Sequence, residues 1–187
     1  MIILHEADFL TEGYTRKCYI NPDDKSQILK IIKPECGKQL DINDIEKFYL
    51  SKVKHHGIIA ECYQEVETNL GIAMAFEHVV DFNFETSKSI SYYLREGLIS
   101  KSKGKTLVAN LFDSAINLGI YVRDTNLDNI LMIKNEKGEF STIFIDGYGG
   151  ITFDYKLYRN IYFKFLSKAR TKKTKKRALE RVDNNVF

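Results

Sequence analysis

The polar segment 123–129 carries the two side chains whose chemistry is easiest to interpret. Asp124 and Asn129 stand five residues apart, and the apolar run 130–134 follows directly. A carboxylate in such a loop can orient an attacking hydroxyl and accept its proton, and a carboxamide five residues on can fold back onto a metal ion. The alternative is an ordinary loop between a helix and a strand, in which Asp and Asn side chains cap turns.

A second carboxylate stands at the end of the next predicted strand, 140–145, where Asp146 precedes Gly147. There it can turn into a cleft and face Mg²⁺, although an Asp-Gly pair by itself is typical of a plain turn. A loop, a hairpin and a strand-end Asp in this order are harder to explain as coincidence than either feature alone. We therefore expect Asp124 to be the catalytic carboxylate, and Asn129 and Asp146 to hold the metal.

Three residues of the first half could complete such a site. Lys30 is the one charge inside the apolar strand Ile28–Ile32, and the alternative role for such a lysine is protection of an edge strand against aggregation. Glu46 lies sixteen residues later on a predicted helix and could pair with Lys30. Gly13 is the single glycine of the loop 11–17, whose backbone N–H groups could cradle phosphate.

The elements that must position these residues follow from periodicity and turn signals. The first 80 residues predict the order β-β-β-α-β-β, with strands at 2–10, 15–20, 26–32, 59–68 and 72–80 and a helix marked by apolar residues from Ile42 to Val53. The second half predicts helices at 89–97 and 106–118, a hairpin over 130–145, and a helix from about Asp154 with a frayed end at 171–187. This is an α+β chain with a small N-terminal antiparallel sheet. We divide it into 1–80, 81–170 and a basic tail, 171–187.

The segment 122–131 resembles the catalytic loop of the protein-kinase superfamily, and Asp146 with its neighbours resembles that superfamily's metal-binding D-F-G element in a looser form. This resemblance implies a bilobal kinase-like fold with a reduced C-lobe, and ATP and Mg²⁺ as cofactors. It also implies that Lys30 holds the α- and β-phosphates, that Glu46 braces Lys30, and that the backbone at Glu77 and Val79 contacts adenine.

The chain also resembles the bacterial YrbL family, or PhoP regulatory network proteins, over most of residues 1–150. The family is assigned to the kinase-like fold, and some members look eroded at the catalytic Asp, whereas this sequence retains Arg123-Asp124. The residues that carry the resemblance are Gly13, Thr15-Arg16-Lys17-Cys18-Tyr19, Asn21-Pro22-Asp23, Leu127-Asp128-Asn129-Ile130-Leu131 and Asp146.

Departures from a protein kinase bear on the acceptor. Val122 replaces the loop histidine, and Asn126 stands where Ser/Thr kinases keep a lysine. Only 41 residues follow Asp146, since the chain has 187, which leaves little room for the helices that seat a peptide. We therefore favour a sugar, lipid or cell-envelope hydroxyl acceptor over a protein, by analogy with small-molecule kinases of the superfamily.

Composition and charge narrow the remaining classes. With 187 residues, 44% of them hydrophobic, the chain can bury a core. It has no apolar run of ~20 residues and no CxxC pair, and we expect it in the cytoplasm. Residues 151–187 contain eleven Lys and Arg against three acids, while 1–150 is net acidic. Such a basic end suits an anionic partner, and we expect a peripheral contact with the inner membrane face through the tail.

Three functions stay open at this stage. The first is an ATP- and Mg²⁺-dependent phosphotransferase, and the second is a pseudokinase that keeps the fold without turnover. The third, a nucleic-acid binder, would need a basic face on the body as well, so specific nucleic-acid binding is not expected. The aromatic residues of the helix from about Asp154 fit either packing on the body or a helix that lies on an anionic membrane.

Overall fold

The computed structural model describes residues 1–36 and 42–186, and its first half is a five-stranded antiparallel sheet in the order β1-β2-β3-β5-β4. Helix α1 (Ile42–Lys52) lies between β3 and β4 in the chain, as the periodicity predicts. The strands are β1 (Phe9–Glu12), β2 (Arg16–Ile20), β3 (Gln27–Ile32), β4 (Cys62–Thr68) and β5 (Gly71–Glu77). The predicted strand 2–10 is wrong for most of its length: Ile2 forms only an isolated bridge with Thr68, and a 3₁₀ turn precedes β1.

The turn between β2 and β3 fixes the register of the hairpin that carries Lys30. The Asn21 Oδ1 accepts from the Asp23 N–H at 3.1 Å, and the Asp24 Oδ1 accepts from the Ser26 N–H at 3.0 Å. Such Asx turns close a bend with side-chain rather than backbone acceptors. In the resulting register Cys18 lies opposite Lys30.

The second half is mostly helical around a three-stranded sheet in the order β6-β7-β8. Ser100 caps α3, since its hydroxyl accepts from the Lys103 N–H at 3.2 Å, and Gly119 ends that helix in the left-handed conformation. The elements are β6 (Lys88–Ser89), α2 (Ile90–Arg95), α3 (Lys101–Leu118), β7 (Ile130–Lys134), β8 (Phe140–Phe144), α4 (Tyr155–Tyr162) and α5 (Lys164–Asp183). None of these helices is long and apolar enough to cross a membrane, among the residues that the structure describes.

One hydrophobic core connects the two halves. It contains Tyr49 of α1, Phe112 of α3 and Phe144 of β8, each at most 2% exposed. The Tyr49 hydroxyl accepts from the Tyr121 N–H at 2.8 Å, directly before the polar segment 123–129. The sheet half and the helical half are therefore packed together beside the candidate site.

The expectation of a frayed end at 171–187 is wrong. Helix α5 continues to Asp183 and packs along α3. The predicted single helix from Asp154 is also two helices, which break at Phe163. The buried face of α5 is built from small side chains, which give a weak hydrophobic pattern, and this is why the sequence suggested a charged tail. They are Ser167, Thr171, Thr174, Ala178 and Val182.

Candidate active site

Lys30 crosses from the sheet to the second half of the chain. Its side chain is 4% exposed, its Nζ donates to the Ile145 carbonyl at 2.8 Å, and it lies 4.1 Å from the centroid of the Phe76 ring. Ile145 immediately precedes Asp146, so the ammonium group is one residue away from the predicted metal ligand. A carbonyl and an aromatic face are both suitable partners for a buried ammonium.

Arg16, at the start of β2, joins the predicted metal ligand to α1. Its Nη1 and Nη2 donate to the two oxygens of Glu46 at 2.6 and 3.2 Å, and Nη2 also donates to Asp146 Oδ2 at 2.5 Å. Asn43 Oδ1 accepts from Nη1 at 3.0 Å. Arg16 and Glu46 are 5% and 4% exposed, so this is a buried, fork-shaped ion pair of the strong kind.

Burial and charge act against each other in this network. Burial disfavours the charged guanidinium, but Glu46 and Asp146 outweigh it and hold the pKa of Arg16 above its ordinary value. Burial raises the pKa of Glu46, in spite of the attraction of Arg16. Burial also acts to raise the pKa of Asp146, yet Arg16 and Lys30 hold that pKa well below its ordinary value. Asp146 is thus an anion whose charge is already compensated.

The predicted pairing of Lys30 with Glu46 is therefore replaced by the pairing of Arg16 with Glu46. Sequence reasoning placed Arg16 in the phosphate loop and gave it no role in the site. The signal was present in the hairpin: Cys18 lies opposite Lys30, and residues two apart in a strand share a face. Arg16 and Lys30 must then lie on the same face of the sheet, and both can reach the acid on α1.

The segment 123–129 is held in place by its own side chains. Asp124 Oδ1 accepts from the Asn126 N–H at 2.9 Å, and Asp124 Oδ2 accepts from Asn129 Nδ2 at 3.1 Å. The Asn129 carbonyl accepts from the Ile145 N–H at 3.0 Å. The turn-capping role is thus seen in this loop, and Asn129 lies beside Asp124; the role of Asn129 as a metal ligand stays a prediction.

Gly147 allows the chain after Asp146 to pack closely against the loop 123–129. Its carbonyl accepts from the N–H groups of Arg123 and Asp124 at 2.8 and 3.0 Å. Its φ is +84°, and a Cβ at this position would lie 2.6 Å from the Asp124 Cβ. Only glycine meets both conditions without strain. This close approach brings Asp124 and Asp146 together.

The donor set suits Mg²⁺, but both oxygens of Asp146 already accept hydrogen bonds. Asp146 and Asn129 offer carboxylate and carboxamide oxygens, the ligands that Mg²⁺ prefers. Asp146 Oδ1 accepts from the Gly147 N–H at 2.5 Å, and Oδ2 is held by Arg16. No group of three or more His, Cys, Asp or Glu side chains could hold a metal within residues 1–36 and 42–186. The residues fit the ion chemically once Arg16 releases Asp146.

The predicted phosphate loop is a tight turn. The Gly13 N–H donates to the Arg16 carbonyl at 2.8 Å and closes the turn between β1 and β2. Loop and guanidinium therefore lie at the same end of the sheet.

The segment predicted to contact adenine uses part of its backbone internally. The Glu77 N–H donates to the Glu61 carbonyl at 2.9 Å, and the Val79 carbonyl accepts from the Ser87 N–H at 3.1 Å. Two surface cavities, of about 400 and 360 Å³, lie between α3 and α5 and beside β5, and none of the predicted site residues lines them.

Comparison with known proteins places the chain in a family. It matches the family model described as PhoP regulatory network protein YrbL over residues 2–186. A search of curated proteins found no match. Two solved structures that it resembles are mutant forms of the kinase domain of PknI from Mycobacterium tuberculosis, at 15% and 14% identity and a TM-score of 0.48. Each comparison covers 74% of this chain and 57% of the PknI chain, so the chain spans little more than half the length of that domain.

The predicted α+β arrangement is confirmed: a small N-terminal antiparallel sheet with one helix is followed by a mostly helical second half.

Proposed function

The chain belongs to the YrbL family of PhoP regulatory network proteins, and we propose that it is an ATP- and Mg²⁺-dependent phosphotransferase that acts on a hydroxyl group. One chain of hydrogen bonds carries the proposal. It runs from Lys30 Nζ to the Ile145 carbonyl, from the Ile145 N–H to the Asn129 carbonyl, and from Asn129 Nδ2 to Asp124. Three segments that are far apart in the sequence thereby present an ammonium, a carboxamide and two carboxylates within one small region.

Each residue has a role that its chemistry suits. Asp124 would orient the acceptor hydroxyl and accept its proton, and Lys30 would hold the α- and β-phosphates of ATP. Asn129 and Asp146 would hold the metal, which when bound supplies positive charge to the phosphate oxygens. The Gly13 turn, which lies beside Arg16, could add backbone N–H donors for phosphate.

The acceptor that suits this chain best is a small hydroxyl compound such as a sugar, a lipid or a cell-envelope molecule. Asn126 stands where Ser/Thr kinases keep a lysine, and small-molecule kinases of the superfamily commonly lack that lysine. By this analogy we favour a small acceptor over a protein.

A second candidate, a nucleotide-binding pseudokinase without turnover, is favoured by one observation. Asp146 is bound by Arg16, so its carboxylate is compensated before any metal arrives. A site that stayed in this arrangement would keep the fold and perform no transfer.

The proposal is tested by two measurements on the full chain. ATP should raise the thermal midpoint more with Mg²⁺ than with EDTA, because only the metal complex engages Asp146, and Asp146→Asn should remove that difference. Equal shifts with and without metal would contradict the metal assignment. Phosphate transfer should then be screened against sugars, lipids and peptides. Asp124→Ala should abolish transfer and leave ATP affinity within a few-fold, while ATP binding without transfer to any acceptor would establish the pseudokinase instead.

We also propose that the protein contacts an anionic membrane surface, and the structure changes where we place that contact. The predicted tail is not a free basic segment: Lys175 pairs with Asp113 of α3 at 2.6 Å, and Arg170, directly before it, donates to Asn160 at 3.3 Å. The junction of α4 and α5 instead exposes four large aromatic side chains among basic residues. They are Tyr155, Tyr162, Phe163 and Phe165, each at least 52% exposed.

Aromatic and basic side chains together suit the interface of an anionic bilayer. A second copy of this chain fits the surface less well, because a symmetric contact would bring like charges together. Residues 155–170 contain five Lys and Arg and no acid.

The membrane contact is tested with point variants, since ending the chain at Ala169 would remove buried residues of α5. Phe163→Ser with Phe165→Ser should abolish binding to vesicles that contain anionic lipid. The control Lys172→Ser with Lys173→Ser changes exposed residues on α5 and should weaken binding only through charge. At roughly 0.5 M salt the Debye length is only a few ångströms, so charge alone should not hold the protein on the vesicles. If the aromatic variant still binds vesicles at that salt concentration, the aromatic side chains are not the membrane contact.

A further inference from the structure

Asp146 is the carboxylate that would bind a divalent cation, and the guanidinium of Arg16 donates to its Oδ2. The two side chains differ in access to solvent, since Asp146 is 35% exposed and Arg16 only 5%. An ion from solution can therefore approach the carboxylate, but it meets a positive charge on the buried side.

Arg16 cannot leave this position without consequences elsewhere. Glu46 is 4% exposed and takes both of its hydrogen bonds from the same guanidinium. Departure of Arg16 would leave Glu46 buried without a cation, which is strongly unfavourable. Asn43 also accepts from Nη1 and holds the guanidinium from the α1 side. The position of Arg16 is thus determined by α1 as much as by Asp146.

Charge balance decides which form of the metal the site can accept. The formal charges of Arg16, Lys30, Glu46 and Asp146 sum to zero, and Asp124, on the other side of Gly147, adds one negative charge. Free Mg²⁺ would add two positive charges beside two cations in a partly buried space, where charges interact strongly. Mg²⁺ bound to a polyphosphate adds net negative charge, and phosphate oxygens match the planar fork of a guanidinium.

We propose that Arg16 is a specificity-determining residue of the metal site: it excludes free Mg²⁺ from Asp146 and admits the metal only together with a polyphosphate. In the bound state Nη2 exchanges the Asp146 oxygen for a phosphate oxygen, while Nη1 stays on Glu46. This inference rests on the proposed role of Asp146 as a metal ligand. It adds a phosphate-binding residue from β2 that the resemblance to kinases did not supply.

The test uses thermal unfolding of the full chain with MgCl₂ alone, with ATP and EDTA, and with both MgCl₂ and ATP. We expect no rise of the midpoint with MgCl₂ alone in the wild type. The variant Arg16→Met with Glu46→Gln removes the cation and the buried acid together. Free Mg²⁺ at about a hundred times its Kd should then raise the midpoint by roughly 5–10 °C. Adding Asp146→Asn to that variant should abolish the rise.

Two results would overturn the inference: a wild-type rise with MgCl₂ alone that equals that of the double variant, or a folded double variant that does not respond to Mg²⁺. If the double variant fails to fold, Arg16→Gln replaces it, since a carboxamide removes the positive charge and keeps N–H donors for Glu46, and the same outcomes apply. A protein that does not bind ATP under any condition contradicts the proposed function, and the MgCl₂ comparison still decides the role of Arg16.

Discussion

Replacement of Gly147 by alanine tests the contact that brings the strand-end acid onto the loop 123–129. At φ +84° an L-residue costs about 1–2 kcal/mol. The new Cβ would also lie 2.6 Å from the Asp124 Cβ, about 0.8 Å closer than the 3.4 Å at which ordinary contact begins. Overpacking of this kind costs about 1–3 kcal/mol. Gly147→Ala should therefore lower the free energy of unfolding by about 2–5 kcal/mol.

Gly138→Ala is the matched control, because Gly138 has a similar φ of +78° with only the end of the Lys134 side chain, at 4.0 Å, near its Cβ position. It should cost only the backbone term of about 1–2 kcal/mol. Urea denaturation of both variants gives the two free energies, provided that the dependence on urea concentration is unchanged. Equal losses in the two variants would refute the contact between Gly147 and Asp124.

The same pair of variants reports on chemistry. To relieve the contact, Asp124 must move by several tenths of an ångström, and a displacement of about 1 Å in a reacting group can reduce a rate about a hundredfold. Phosphate transfer, once an acceptor is found, should fall in Gly147→Ala far more than in Gly138→Ala. Equal transfer rates in both variants would show that Asp124 is not the group whose position limits the reaction.

Two further predictions follow from buried and charged groups. Thr171→Val removes a hydroxyl that donates to the Ile120 carbonyl at 2.8 Å and accepts from the Val122 N–H at 3.1 Å. It should destabilise by about 1–3 kcal/mol in urea denaturation, and Thr174→Val, which loses only a contact within α5, should cost less; equal costs would contradict the docking of α5. The second prediction concerns pH. The pKa of Asp146 is depressed in the folded state, so the ionised carboxylate stabilises the fold fully above the ordinary Asp pKa of about 4. This stabilisation is lost as the pH falls below that value. The stability difference between wild type and Asp146→Asn should thus shrink between pH 5 and pH 2, and a constant difference would contradict the ion pair.

The sequence was sufficient to predict an element where the local signal and the tertiary structure agree. The turn at Asn21–Asp24 and the period of α1 predicted β2, β3 and α1 to within a few residues, since each depends on contacts near in the chain. The meeting of Asp124 with Asn129 was also predictable, because five residues and one turn separate them.

The sequence was insufficient where packing, rather than pattern, determines the structure. Helix α5 is buried through Ser, Thr and Ala, so its inner face differs little in polarity from its outer face, and the lysines dominated the interpretation. Leucines in place of Thr171 and Thr174 would have made the stripe visible and would not have fitted so close to α3. Small side chains allow the close packing and also remove the signal.

The partner of Glu46 illustrates a choice that only the assembled structure determines. Two cations, Arg16 and Lys30, lie on the same face of the sheet, and the acid on α1 could pair with either. A guanidinium can satisfy Glu46, Asn43 and Asp146 together, whereas an ammonium is a single point charge. Lys30 instead contacts the Ile145 carbonyl and the Phe76 ring. These two partners do not match the paired N–H donors of a guanidinium. Arg16 and Asp146 are 130 residues apart, so no local pattern indicates the contact. The arrangement of four charges follows from which cation has the larger number of acceptors within reach.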